Sequence, residues 1–189
     1  LDPVEVATGF LDGGADVIIS GIDTTEAITV AGQFMSEGDA SYAVPYGNVN
    51  GCSEAPDACL GAAFYNWGPA YLDTINRVLD GSWSQEWVWL EPKWDEINAD
   101  GYYTDADTSV IGFKLGDALT PDVVENLNAF ATEIEAFQTD PANAGQSFGW
   151  QGPISMQDGT VLAAEGESVS LLDIWFLPQL LEGMTGASE

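Results

Sequence analysis

The sequence contains no histidine and only three basic residues, Arg77, Lys93 and Lys114, against 31 aspartates and glutamates. The absence of histidine removes the commonest general base and metal ligand. The formal net charge of −28 repels nucleic acid and anionic membrane surfaces. With only three basic side chains, the protein also has few groups that could bind the phosphate of a phosphorylated ligand. The composition therefore argues against a nucleic-acid partner. Such acidity suits a protein that works in salty water, where ions screen the self-repulsion.

Cysteine is also scarce, and long apolar runs are missing. Two cysteines, Cys52 and Cys59, are too few for a thiolate metal site, so we predict neither a metal nor a cofactor. They flank a loop rich in glycine, serine and proline, which favours a disulfide worth about 2–3 kcal/mol. Two reduced, buried cysteines are the alternative. A disulfide implies an oxidising compartment such as the periplasm or the cell exterior. No stretch approaches the length of a membrane span.

Apolar residues make up 46% of the 189-residue chain, enough for one domain with a sizeable core. Helical and strand patterns alternate along the first two thirds of the sequence. This alternation predicts an α/β fold: a three-layer, doubly wound, mostly parallel sheet with helices on both faces. The predicted helices cover residues 3–11, 25–36, 67–79, a long segment after Thr120-Pro121, and 171–181. The predicted strands cover residues 15–19, 42–46, 60–65 and 109–114, followed by a hairpin at 153–162.

The chain opens on a helix-start signal, with Asp2 as the cap, Pro3 at the first helical position and Glu5 in the first turn. A natural secreted precursor would not begin there. We therefore expect that the natural protein carries further sequence upstream.

The junction between residues 65 and 71 is the most informative segment. Asn66 is a candidate helix cap, Pro69 suits a first helical turn, and Gly81 ends the helical pattern. Trp67 therefore lies where a strand gives way to a helix, the end that faces the ligand cleft in open α/β sheets. An aromatic ring there can stack on a planar ligand, although a core tryptophan is the alternative.

Three more strand ends supply polar candidates for the same rim. Asp23 can accept hydrogen bonds from ligand hydroxyls or amines, and Thr24 and Thr25 begin a helix whose free N–H groups can hold a polar ligand group. One of the two threonines is expected to cap that helix. The Asn48 amide can hydrogen-bond to both a donor and an acceptor on a heterocyclic ligand, although asparagine is also common in ordinary turns. Lys114, at the end of its strand, is a fourth candidate.

The sequence contains no residue pattern typical of a hydrolase. Without histidine or a reactive cysteine, no nucleophile and base can be paired. Because the chain has many carboxylates, a catalytic pair of carboxylates like that of a glycosidase stays an alternative. A segment crowded with tryptophan, residues 83–94, indicates either a cleft wall or an apolar cluster under a long loop.

Taken together, these motifs resemble the basic membrane protein (BMP) family of ABC-transporter substrate-binding proteins. The resemblance covers nearly the whole chain. Its most specific part is Asn-Trp-Gly-Pro followed by Leu-Asp-Gly-Ser-Trp between residues 66 and 83. The other matching motifs are Gly14-Ala15-Asp16-Val17-Ile18, Asp23-Thr24-Thr25, Phe113-Lys114-Leu115-Gly116, and Gly152-Pro153-Ile154 followed by Gln157-Asp158-Gly159.

The resemblance implies a bilobed type I periplasmic binding protein, of which this chain matches the second half. Residues 1–150 are then the C-terminal ligand-binding lobe without its first strand. Residues 151–189 are a hairpin and closing helix that cross back towards the absent N-terminal lobe. The matching ligand-binding residues are Asp23, Thr24, Thr25, Trp67 and Lys114. Where the family commonly has an aspartate at the second strand end, this chain has Gly47, Asn48 and Asn50.

The sequence therefore predicts a non-enzymatic, extracytoplasmic solute-binding component of an ABC importer. Some members of the family bind purine nucleosides, so a purine nucleoside in an interlobe cleft is the first expectation. The expected partners are the missing N-terminal lobe and the transporter permease, and a lipid anchor would be consistent with the family. The alternatives are a ligand-sensing receptor or regulator on the same fold, a binder of a cationic aromatic vitamin, and a secreted hydrolase.

Overall fold

The computed structural model describes residues 2–94, 100–105 and 107–186. The chain divides into two compact units, Leu1–Thr132 and Glu133–Glu189. Helices alternate with mostly parallel strands in the first unit, whereas short antiparallel strand pairs dominate the second. The protein is therefore a mixed α and β structure, which is compatible with the predicted α/β class.

The first unit contains helices α1 (Pro3–Asp12), α2 (Glu26–Glu37) and α3 (Trp67–Asp80). The predicted start of α1 is confirmed, because Asp2 Oδ1 accepts a hydrogen bond from the Val4 N–H at 2.9 Å. Helix α3 ends as predicted at Gly81, whose φ of 79° is the left-handed conformation that glycine adopts without strain.

The apolar face of α3 is open to solvent. Five of its side chains are between 55% and 79% exposed: Tyr71, Leu72, Ile75, Val78 and Leu79. The helical spacing is thus as predicted, but the unit to which α3 belongs does not bury this face.

Four strands of the first unit follow a parallel arrangement. They are β1 (Val17–Ile19), β2 (Tyr42–Val44), β3 (Tyr46–Gly47) and β4 (Gly61–Tyr65). Strand β1 pairs with β2 and β3 pairs with β4, both in parallel. The sequence predicted one strand over residues 42–46. Pro45 splits it because proline has no N–H to donate to a ladder.

The fifth strand corrects a prediction. Strand β5 (Ile111–Leu115) lies antiparallel to β4, with Tyr65 opposite Ile111 and Ala62 opposite Lys114. The alternation of helices and strands had predicted a parallel partner. The chain between α3 and β5 is long and contains no helix in its described part, so no regular crossover returns it to the edge from which α3 departs.

The core of the first unit forms around the predicted disulfide. Cys52 and Cys59 are bonded, and Cys59 is fully buried. The loop between them folds into two short 3₁₀ helices, Gly51–Glu54 and Pro56–Ala58. The fully buried cluster consists of Ile28, Ala31, Ala43, Ala58 and Cys59. The disulfide therefore lies within the core and packs against α2.

Strand β1 is only partly buried. Its burial alternates, and Ile19 is 76% exposed. A second apolar cluster, formed by Ala7, Leu11 and Val30, joins α1 to α2 and packs against Ile18. Only one face of β1 therefore contributes to the core.

Arg77 organises the start of the tryptophan-rich segment. Its carbonyl oxygen accepts hydrogen bonds from the Ser82 and Trp83 N–H groups at 2.9 and 3.0 Å. Its guanidinium pairs with Glu86. Trp83, Trp87 and Trp89 remain between 38% and 65% exposed, so these three do not form an apolar cluster buried under a loop. Their place in a cleft wall stays a prediction.

The second unit begins within helix α4 (Pro121–Thr139) and continues through the elements that follow it. These are β6 (Gln146–Gln151), β7 (Ile154–Ser155), β8 (Val161–Ala163), β9 (Ser168–Ser170) and α5 (Leu171–Trp175). The predicted hairpin is confirmed as the antiparallel pair β7–β8. The pair β6–β9 was not predicted.

The predicted closing helix over residues 171–181 is too long. Helix α5 ends at Trp175, and the Phe176 N–H bonds back to the Leu172 carbonyl at 3.0 Å. Pro178 disfavours helical geometry in the residue before it, which explains the early end.

Candidate functional site

Three strand ends meet at one edge of the first unit. The chain leaves β1 towards Asp23, leaves β3 at Gly47, and leaves β4 at Asn66 and Trp67. The carboxyl ends of parallel strands lie at a common edge, which is where ligands bind in open α/β sheets. The predicted candidates Asp23, Asn48 and Trp67 therefore follow strands that end on the same side.

Four aromatic rings form a continuous aromatic ladder at this edge, composed of Tyr46, Tyr65, Trp67 and Tyr71. The Tyr46 and Tyr65 rings meet edge to face with centroids 5.7 Å apart. Tyr65 stacks on Trp67 at 5.2 Å, and Trp67 stacks on Tyr71 at 6.1 Å. Trp67 remains 56% exposed. The ladder thus offers ring surface to a planar molecule.

A pair of tyrosine hydroxyls gives the ladder a polar end. The hydroxyls of Tyr46 and Tyr65 are hydrogen-bonded to each other. This hydrogen bond raises the pKa of Tyr65 above its ordinary value of 10.0, with further contributions from burial and from the nearby negative charge of Asp23. Tyr65 therefore stays protonated as the pH rises, and the hydroxyl pair can exchange hydrogen bonds with a ligand.

Asp23 lies beside Gly47 and supplies the negative charge of the site. A Cβ atom at Gly47 would lie 2.5 Å from Asp23 Oδ1. Within the described ranges, the Asp23 carboxylate forms no hydrogen bond and no ion pair. Its oxygens are thus available to a ligand that carries hydrogen-bond donors.

The two threonines after Asp23 do not cap α2 as expected. Thr25 is in the cap position but its side chain makes no capping bond, while its carbonyl oxygen accepts from the Thr29 hydroxyl. Thr24 Oγ1 and Glu26 Oε2 are buried without a partner of normal hydrogen-bond geometry. The proximity of the Thr24 hydroxyl is nevertheless sufficient to lower the pKa of Glu26.

Asn48 has a turn role in the structure. Its Oδ1 accepts a hydrogen bond from the Asn50 N–H at 2.9 Å, which is the ordinary behaviour of asparagine after a strand. Its contact with a ligand stays a prediction.

Lys114 lies at the opposite edge from Trp67. The antiparallel register pairs it with Ala62, near the start of β4, whereas Trp67 follows the end of that strand. Lys114 Nζ lies 5.2 Å from the centroid of the Tyr102 ring, a cation–π contact. The expectation of a fourth strand end at the same rim is therefore wrong, and a ligand-binding role for Lys114 stays a prediction.

A cavity of about 200 Å³ opens near the end of β4. Asn66 lines it and does not cap α3 with its side chain, because its Nδ2 donates to the Ser109 carbonyl at 2.9 Å. The other residues around the cavity are Val49, Phe64, Tyr102, Thr104, Asp105 and Ser109.

Asp105, at the rim of this cavity, is tied into its own loop. Its Oδ1 accepts hydrogen bonds from the Asp107 and Thr108 N–H groups, both at 2.8 Å. The bonds from Thr108 and Asp107 lower the pKa of Asp105. This carboxylate therefore serves the loop as an acceptor.

The described ranges hold no group of three or more histidine, cysteine, aspartate or glutamate side chains arranged around a possible metal ion. None of the helices in these ranges combines the length and apolarity that crossing a membrane requires.

The sequence analysis named Trp67 and Asp23 as candidates but not the residues that lie next to them. Tyr46 and Tyr65 were assigned only to strands, and Tyr71 only to an apolar helix face. The available signal was the spacing of Tyr65, Trp67 and Tyr71 across a strand-to-helix junction. Gly47 carried no such signal, because its closeness to Asp23 depends on how two separate strands lie together.

The comparisons with known proteins give one informative similarity. No protein-family model matches the chain. The chain is 30% identical over 165 residues to a purine-binding protein of Brucella abortus (strain 2308). The match covers 86% of this chain, but the chain spans only 39% of the relative's own length. Over most of its length, then, this chain is similar to part of a larger purine-binding protein.

Proposed function

We propose that this chain is the C-terminal lobe of an extracytoplasmic solute-binding protein of the BMP family, and that it holds a purine nucleoside without altering it. The observation that carries the proposal is the aromatic ladder, with the Asp23 carboxylate, which has no partner among the described residues, at the same edge of the first unit. The similarity to a purine-binding protein supports the same ligand class.

Stacking would supply much of the affinity. A purine is planar and apolar on its faces, and the solvent-exposed ring of Trp67 matches that shape. Stacking of a base on an aromatic side chain contributes about 1–3 kcal/mol. A few aimed polar groups then set the orientation. Asp23 can accept from the ligand, and the Tyr46–Tyr65 pair can both donate and accept. No step of this scheme needs a cofactor or a catalytic base.

The partners follow from the same proposal. In this proposal an N-terminal lobe of the same protein forms the other wall of the cleft, which is compatible with a chain that spans 39% of its relative's length. The two lobes would close over the ligand by a hinge motion, and the closed form would deliver it to the permease of an ABC importer. The buried disulfide supports an oxidising compartment, such as the periplasm, as the place of work.

Native mass spectrometry of the full-length protein purified from cells would identify the bound molecule by its mass. Isothermal titration of the emptied protein with adenine, adenosine, guanosine and uridine would rank the ligands. We expect a purine in the native complex and weaker binding of uridine, which offers a smaller stacking surface. A protein that carries no small molecule and binds none of these four compounds would contradict the proposal.

Two tryptophans of similar exposure provide a matched test of the ladder. Trp67 is 56% exposed and Trp83, outside the ladder, is 52% exposed. We expect Trp67→Leu to weaken purine binding roughly 5- to 150-fold, the equivalent of one lost stacking contact of about 1–3 kcal/mol. Trp83→Leu should leave the affinity unchanged. An affinity that stays unchanged in Trp67→Leu would exclude Trp67 from the site.

A cationic aromatic ligand is the second candidate. It is favoured by the carboxylate of Asp23 near the aromatic rings and by the net charge of −28. Cation–π attraction contributes about 0.5–2 kcal/mol. Titration with thiamine at low and high salt separates the candidates, because binding of a cation weakens with ionic strength whereas stacking of a neutral purine changes little. Tighter binding of thiamine than of adenosine would replace the purine assignment.

A further inference from the structure

Gly47 ends β3 in a conformation that excludes most side chains. Its φ of 78° lies in the left-handed region, where a side chain is strained. The space above its Cα is also occupied, because an ideal Cβ there would lie 2.5 Å from Asp23 Oδ1 and 3.7 Å from Asp23 Cγ. Real Cβ atoms do not approach a neighbour so closely. Any residue other than glycine at this position would therefore have to displace the Asp23 carboxylate.

The position of that carboxylate is otherwise weakly held. In the described part of the chain, Asp23 makes no hydrogen bond or ion pair that would keep it in place. It is nevertheless close enough to the aromatic ladder for its charge to act on the Tyr65 hydroxyl. The location of the negative charge thus depends on the empty space that Gly47 provides.

The geometry points to Gly47 as the residue that positions the Asp23 carboxylate beside the aromatic ladder, so that the site selects ligands that present an N–H, O–H or cationic group to it. This inference rests on the proposed function, since it takes the ladder as the ligand site. Gly47 itself contributes no ligand contact. Its role is to leave the volume into which the side chain from the neighbouring strand end extends.

The test compares two glycines with nearly the same φ. Gly81 has a φ of 79°, but a Cβ there would meet no atom within 4 Å. Gly47→Ala and Gly81→Ala therefore both place a side chain on a residue of positive φ, and only the first displaces Asp23. In the full-length protein titrated with adenosine, we expect Gly47→Ala to weaken binding about tenfold or more, as the loss of a charged hydrogen bond does. The affinity for adenosine should fall by a similar factor in Asp23→Asn and by less than about threefold in Gly81→Ala.

Exchanging the two residues gives a variant that should bind adenosine more tightly than Asp23→Asn does. In the double variant Asp23→Gly, Gly47→Asp, the carboxylate comes from the end of β3 instead of from the loop after β1. Aspartate is among the residues that tolerate positive φ. We expect its affinity for adenosine to recover to within about tenfold of the wild type. Failure of the double variant to exceed Asp23→Asn would overturn the selection of ligands by a carboxylate at this point.

A ligand-free measurement separates the inference from the proposed function. NMR titration of the Tyr65 ring measures a pKa to which the charge of Asp23 contributes, alongside the larger effects of the Tyr46 hydrogen bond and of burial. Gly47→Ala and Asp23→Asn should both move the Tyr65 pKa downwards, whereas Gly81→Ala should not. A wild-type protein that binds no purine would overturn the proposed function. A wild type that binds adenosine while Gly47→Ala behaves like Gly81→Ala would overturn this inference alone.

Discussion

Trp67 stacks on Tyr65 with the ring centroids 5.2 Å apart and the planes inclined by 28°, across the point where β4 gives way to α3. The two residues belong to different kinds of secondary structure, so the stack depends on the bend of the chain at Asn66. Asn66 is held there by two bonds to the neighbouring segment, from its N–H to the Val110 carbonyl and from its Nδ2 to the Ser109 carbonyl. The geometry of the ladder is therefore tied to the start of β5.

The Tyr46–Tyr65 hydroxyl pair leads to a prediction about high pH. The folded protein holds the Tyr65 proton more tightly than the unfolded chain does, because the folded pKa is raised. The resulting stability is fully present below about pH 10 and is lost as the pH rises through the folded pKa. We expect Tyr46→Phe to lower the Tyr65 pKa and to make the decline of stability above pH 10 less steep.

Site-resolved NMR of the tyrosine rings measures this effect, since burial also raises the pKa of Tyr103. Tyr42→Phe is the control, because it removes a hydroxyl that does not touch Tyr65. An unchanged Tyr65 titration in Tyr46→Phe would show that the hydroxyl pair does not hold the proton.

Reduction of the disulfide should destabilise the first unit. The bond closes a loop with a sequence separation of seven residues, and loop-closure entropy for that length corresponds to about 2–3 kcal/mol. Urea unfolding of the oxidised and the reduced wild-type protein isolates the cross-link, because both samples keep the Cys52 and Cys59 side chains. Identical unfolding midpoints would mean that the core holds the loop without the bond.

Two isoleucines of the first unit should differ strongly in their contribution to stability. Ile28 is fully buried in the cluster around the disulfide, whereas Ile19 is 76% exposed on β1. We expect Ile28→Ala to cost about 2–5 kcal/mol of unfolding free energy. Ile19→Ala should change it by less than about 0.5 kcal/mol. Denaturant unfolding measures both, and a large loss with Ile19→Ala would mean that the exposed face of β1 is covered in solution.

Salt should stabilise the protein. With a net charge of −28, the compact state suffers more self-repulsion than the expanded chain. Raising NaCl from 0.1 to 1 M shortens the screening length from about 10 Å to about 3 Å. We expect the melting temperature to rise over this range, with the same rise in KCl. A melting temperature that stays constant or falls would show that the acidic surface is not a source of instability.

Local chemistry alone predicted several features of this fold. Asp2 and Pro3 begin α1, Gly81 ends α3, and the Cys52–Cys59 disulfide forms as the loop composition indicated. Each depends on residues that are neighbours in the chain. The position of Trp67 at a strand-to-helix junction follows from the same local signals.

Other features depend on contacts between distant segments. The antiparallel direction of β5, and with it the place of Lys114 away from Trp67, follows from the route of the chain between α3 and β5. Periodicity shows that a segment is a strand but not which way it runs beside its partner. Pairing of Tyr46 with Tyr65, and of Asp23 with Gly47, likewise needs β1, β3 and β4 to be brought together.

From its residues alone, the sequence determined where the main helices and strands lie and that a carboxylate and an aromatic ring follow two strand ends. Only the tertiary structure decided that the aromatic group is a four-ring ladder, that Asp23 occupies the space above Gly47, and that Lys114 lies at the other edge. The physical reason is the distance along the chain over which each kind of interaction acts. Capping, turn and disulfide preferences act over a few residues, whereas the shape of the site is set by which strands pair and in which direction.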